Sequence, residues 1–174
     1  MGVPRSHTED PDMAFKLSSA SFQDGDTLPD LHVKAMGDTS PQLRWTGAPE
    51  GTKSFAITCF DPDAPTGSGF WHWTVANLPA DTRELPAGAG APEGHDLPAG
   101  AVQGRTDFGR PGYGGAAPPP GHGKHRYIFT VFAVDTERLD VGPQDSGAVF
   151  GFNLHFHTLA KASITATYEN RGQG

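Results

Sequence analysis

The chain has 174 residues, a formal net charge of −7 and one cysteine, Cys59. A net acidic chain disfavours nucleic acid and anionic membrane surfaces, both of which call for a basic face. A single cysteine excludes an intrachain disulfide and fits a reducing cytoplasm, where the chain is expected to reside.

In chain order, residues 1–14 read as a flexible tail and 15–174 as one domain, near the usual domain size. The start shows no apolar secretory core, and nowhere do about 18 apolar residues run together as a membrane span needs. Residues 15–22 alternate like a strand, 24–30 are turn chemistry, and 40–52 give a short extended piece ending in a Gly/Pro turn. Residues 53–60, KSFAITCF, are apolar on both faces, the pattern of a strand covered on both sides. Residues 71–78, WHWTVANL, form another strand. Strict alternation puts Trp71, Trp73 and Val75 on one face and His72, Thr74 and Ala76 on the other.

Residues 79–124 are rich in Gly, Pro and Ala. A stretch this long is either a linker or an ordered functional loop, and Asp107, Phe108 and Tyr113 favour the second. Residues 125–135 are the strongest strand. From 148 to 162 the period becomes helical, with Val149, Phe152, Phe156, Leu159 and Ala160 on one face and Asp145 or Ser146 as cap. Residues 163–169 return to strand alternation. Many strands with one late helix predict a mainly β fold, an antiparallel sandwich.

Enzyme signatures fail on spacing. The stretch GHGK at 121–124 lacks the upstream glycine of a phosphate-binding loop, and TGSGF at 66–70 has Thr66 where a nucleophile elbow needs glycine. On a helix His155 and His157 diverge by about 200°, so they are not read as a metal pair. No metal site and no cofactor are expected. Asp63 reads as turn chemistry, but Asp61 continues the face of Phe55, Ile57 and Cys59 to the rim of a core, where a carboxylate needs a partner. His72 and His125 also stand at strand ends. Together these three residues make a candidate polar pocket.

The block DPDAP…WHW, at 61–73, and the block YGGAAPPPGHGKHRY, at 113–127, resemble the phosphatidylethanolamine-binding protein family, also called the Raf kinase inhibitor protein family. The resemblance extends over roughly residues 15–170 and points to its bacterial and archaeal branch. It implies a sandwich with a small pocket for phosphate or a phospholipid headgroup. The pocket wall would be Asp61, His72 and His125, with Tyr113 and Tyr127 nearby and the loop from Gly115 to Pro119 as rim. Pro65 would end the first block, and the resemblance allows a cis peptide bond before it. The C-terminal helix of animal members is not expected here.

On this reading Asp61 raises the pKa of a neighbouring histidine and holds it charged for an anion. The leading expectation is a binding protein for a small anionic ligand rather than an enzyme. Two alternatives stay open: regulation of a protein partner, a kinase or a protease, and acid–base catalysis through Asp61 and His72 on a small metabolite. A homodimer is compatible with all three.

Overall fold

The computed structural model describes residues 14–172. The tail expected over 1–14 lies outside the described residues except for Ala14.

Two antiparallel sheets pack face to face. The smaller holds β1 (Lys16–Ser18), β2 (Leu43–Thr46) and β5 (Glu84–Leu85) in the order β1-β2-β5. The larger holds β3 (Ser54–Asp61), β4 (Phe70–Pro79), β6 (Val102–Gln103), β7 (His125–Val134) and β8 (Thr158–Tyr168) in the order β6-β4-β3-β7-β8. Their shared core includes Leu43, Trp45 and Leu85 from the small sheet and Phe55, Ile57, Trp73, Phe129 and Val131 from the large one. As its two-sided apolar pattern predicts, β3 is buried on both faces, with only Phe60 partly open.

The other face of the large sheet is covered by helix α1 (Gly147–His157) over Ala56, Ala76, Val134 and Leu139. Its buried side is Gly147, Phe150 and Leu154. The stripe expected to face the core, Val149, Phe152, Phe156 and Leu159, is exposed instead. Gly147 explains the choice. A Cβ there would stand 2.2 Å from the Trp71 indole, so only the glycine-bearing face can approach the sheet this closely. The helix also ends earlier than expected. Thr158 turns extended, its hydroxyl donates to Leu154 O at 2.6 Å, and residues 158–162 join β8 against β7. Ser146 occupies the cap position without a side-chain cap bond.

The Gly/Pro segment 79–124 packs on the sheets. Trp73 Nε1 donates to Gln103 Oε1 at 2.7 Å, and Gln103 Nε2 donates to Ala91 O at 2.8 Å. Gly90 N donates to Ser40 Oγ, and Tyr113 N to Gly90 O. Ala89, Thr106, Tyr113 and Ala116 are buried.

Candidate functional site

Three adjacent strands of the large sheet bring their ends together: β3 finishes at Asp61, β4 begins at Phe70 and β7 begins at His125. The ladder between β3 and β4 is interrupted there. Cys59 pairs with Trp73 and Phe60 with Trp71, so β4 carries one extra residue, His72. Such a bulge breaks the alternation of faces. Trp73 enters the main core, whereas Trp71 packs on Phe60 across the opposite face, ring centroids 4.6 Å apart. His72 turns to the side of Tyr127, at 5.2 Å between rings. The alternation expected for residues 71–78 therefore fails at its first two positions. His72 does not share a face with Thr74 and Ala76, and Trp71 does not share one with Trp73.

The result is a cavity of about 260 Å3 with Asp61, His72, His125 and Tyr127 in its wall. Phe70 and Phe108 add an aromatic side, and Pro65, Thr66, Ala117 and Pro119 the rim. Asp61 is 2% exposed, and both carboxylate oxygens are used. Oδ1 accepts Asp63 N–H at 2.7 Å, and Oδ2 lies 2.7 Å from His125 Nδ1. An ionised carboxylate only accepts, so Nδ1 of His125 carries the hydrogen. The other nitrogen, Nε2, is 2.6 Å from Nδ1 of His122.

His72 is held differently. Its Nδ1 donates to Gly114 O at 2.7 Å, while Gly114 N donates back to His72 O at 2.9 Å. Burial pushes the His72 pKa below the usual histidine value; Gly114 and Asp61 pull it up but do not prevail. At His72, then, desolvation outweighs the pull of Asp61, whose carboxylate is bonded to His125 instead. A neutral ring with its hydrogen on Nδ1 leaves Nε2 as an acceptor.

Tyr127 is 1% exposed, and its hydroxyl, with Ala117 N–H and the Asp61 carboxylate as polar neighbours, makes no well-formed hydrogen bond to either. Burial, then the Asp61 charge, raises its pKa, so it stays a protonated donor. Phe108 packs edge-on to Phe70 at 4.8 Å and to His72 at 5.4 Å, with Lys34 Nζ 4.2 Å from its ring centre. Gly114 is required there, because a Cβ would meet the Phe108 ring at 2.3 Å.

Two expected site residues lie elsewhere. Tyr113 is buried in the core, where its hydroxyl donates to His32 O at 2.8 Å. Gly115 spends its N–H on Asp38 Oδ1 at 2.8 Å and is not in the pocket wall. Pro65 follows a trans bond; no cis peptide occurs among the described residues. Asp63, read as turn chemistry, clamps the rim. It accepts Arg126 Nε and Nη2 at 2.9 Å each and also the Arg126 backbone N–H. This pairing lowers its pKa to about 2. Phe70 and Phe108 in the wall, and the His122 contact with His125, were not anticipated. Phe108 was legible only as an aromatic in a Gly/Pro run, and His122 only as a polar residue three places before His125. His155 is exposed and His157 pairs with Asp135 at 2.8 Å; no cluster of three or more metal-ligating residues is found among the described residues.

A two-sheet antiparallel sandwich with an Asp–His pocket at the ends of three adjacent strands defines a class of small-pocket β proteins. Residues 18–169 match the phosphatidylethanolamine-binding protein family, and the chain belongs to it. It is 59% identical over 158 residues to the UPF0098 protein YbhB of Escherichia coli, covering 88% of this chain and 99% of the relative. The crystal structure of E. coli YbcL, described as a new member of the mammalian PEBP family, superposes with a TM-score of 0.88 at 51% identity, covering 89% of this chain and 98% of that one. The homologue CT736 from Chlamydia trachomatis superposes with a TM-score of 0.78 at 28% identity, covering 91% and 99%. Among the described residues, no helix is long and apolar enough to cross a membrane.

Proposed function

We propose that the pocket binds a small anionic ligand, inorganic phosphate or the phosphate of a headgroup, and holds it without catalysis. The observation that carries this reading is the Tyr127 hydroxyl, a buried donor without a well-formed hydrogen bond in the wall beside His125. Leaving such a donor unpaired costs about 1–3 kcal/mol, which an acceptor oxygen of the ligand would recover. Among the described residues no Lys or Arg lines the cavity. Recognition would then rest on hydrogen bonds from Tyr127 and an imidazole rather than on a fixed cation. The His72 lone pair suits the P–OH of a monoanion.

Calorimetric titration of inorganic phosphate and of phosphoethanolamine tests this, with Tyr127→Phe as the variant. The expected result is about five- to tenfold weaker binding in the variant, one lost hydrogen bond, with no loss of thermal stability. Equal affinity in both proteins would remove the pocket assignment. A preference for phosphoethanolamine over phosphate would identify a headgroup as the ligand.

A further inference from the structure

His122 lies outside the cavity wall yet is bonded to the one group of that wall best suited to meet an anion. Both nitrogens of His125 are engaged, Nδ1 by the buried Asp61 carboxylate at 2.7 Å and Nε2 by Nδ1 of His122 at 2.6 Å. Any ligand that takes an N–H from His125 must therefore take it at Nε2, where His122 already sits.

We propose that His122 is a further residue of the binding site: it occupies the ligand position on His125 Nε2, and binding exchanges its imidazole for an oxygen of the anion. The inference rests on the anion reading given above and adds what that anion must displace.

The surroundings of His122 suit an exchangeable group. The residue is exposed, whereas His125 is 1% exposed. Its flanking glycines, Gly121 and Gly123, have φ of 75° and 96°, and a Cβ on either would meet nothing within 4 Å, so open space surrounds the turn. The backbone is nevertheless fixed. His122 N donates to Pro119 O at 3.1 Å, and Gly121 N donates to Asn170 O at 2.9 Å. Rotation of the His122 side chain alone then breaks the contact, with no strand displaced. Between two imidazoles either ring can supply the single shared hydrogen. Phosphate can meet either arrangement: a P–O oxygen accepts the hydrogen where His125 Nε2 carries it, and the P–OH of a monoanion donates to Nε2 where it does not. The exchange also sets specificity. A weak acceptor, such as a neutral carbonyl or ether oxygen, gains little over the imidazole it replaces, whereas a phosphate oxygen forms the stronger charge-assisted bond.

The experiment compares wild type with His122→Ala, using inorganic phosphate as probe and calorimetry as readout. The variant is expected to bind phosphate about five- to tenfold more tightly, because one internal hydrogen bond no longer has to be broken. Millimolar imidazole should compete with phosphate in His122→Ala and not in wild type. In wild type, the ring nitrogen resonances of His122 should shift on phosphate binding together with those of His125, a readout that needs no variant. Unchanged or weaker binding in His122→Ala, with no movement of the His122 resonances in wild type, would overturn this inference alone. Failure of wild type and variant alike to bind phosphate would overturn the anion reading and this inference with it.

Discussion

The two walls of the pocket use the same side chain in opposite ways. On the β7 wall, His125 stands between a buried carboxylate and a second imidazole that reaches solvent. On the β4 wall, His72 is turned inward by a bulge, packed among Phe70, Phe108 and Tyr127, and bonded to a backbone carbonyl. The first ring has a carboxylate on one nitrogen and an exposed imidazole on the other. The second has a backbone dipole and is buried among aromatic rings, and its pKa falls. The partner and the solvation, not the residue type, decide what an imidazole offers a ligand.

The largest expected effect comes from removing the charge that separates the walls. Asp61→Ala leaves the His125 Nδ1–H and the Asp63 N–H unpaired in a buried site and should destabilise the protein by about 3–5 kcal/mol. Urea unfolding measures this. A loss below about 1 kcal/mol would mean that the carboxylate is not the anchor of the β7 wall.

A smaller effect concerns the neutral wall and is read from pH. The folded pKa of His72 lies below its ordinary value of 6.5, so between the two the unfolded chain binds more protons. Stability from this group is complete above about pH 6.5 and is lost as pH falls toward the folded value. His32, lowered by burial as well, adds to the same slope. Melting temperature followed from pH 7.5 to 5 should therefore fall, and His72→Gln should flatten that fall in part, leaving the share due to His32. An identical slope in both proteins would mean that His72 is charged in the fold.

The smallest effect lies at the rim joining the walls. Arg126 is 55% exposed in its side chain, so Arg126→Ala should cost little stability despite the paired geometry, because solvent screens an exposed ion pair. Its contribution persists down to about pH 3.8, where free aspartate titrates, and fades as pH drops toward 2. Unfolding of both proteins at pH 7 and pH 2.5 should show the difference shrinking in acid.

Much of this architecture was legible in the chain. The run at 53–60 announced β3 through apolar residues on both faces, and 125–135 announced β7 as the strongest strand pattern. Asp61, His72 and His125 were visible as polar groups at strand ends and through the two family blocks. The orientation of His72 was not. WHWTVA reads as perfect alternation, and an extra residue in a ladder is defined by its pairing partner on β3, not by local pattern. The helix failed for a related reason. Residues 147–157 carry two competing apolar stripes, and the sequence favours the richer one. The contact that selects the other is Gly147 on Trp71, a fit between residues 76 positions apart. Tyr113 and Gly115 stood in the right block but were claimed by His32 and Asp38, partners that no spacing could reveal.

The bulge at His72 makes this pocket a matter of counting. Substitutions around it leave the count unchanged, but losing Trp71 would remove this bulge and put the imidazole on the other side of the sheet. The backbone of the strand could still pair, but a one-residue shift moves side chains to the opposite face. Strand length is therefore as much a part of this site as residue type. Loss of Trp71 would remove one wall of the pocket and, with it, the ring on which Gly147 of α1 rests.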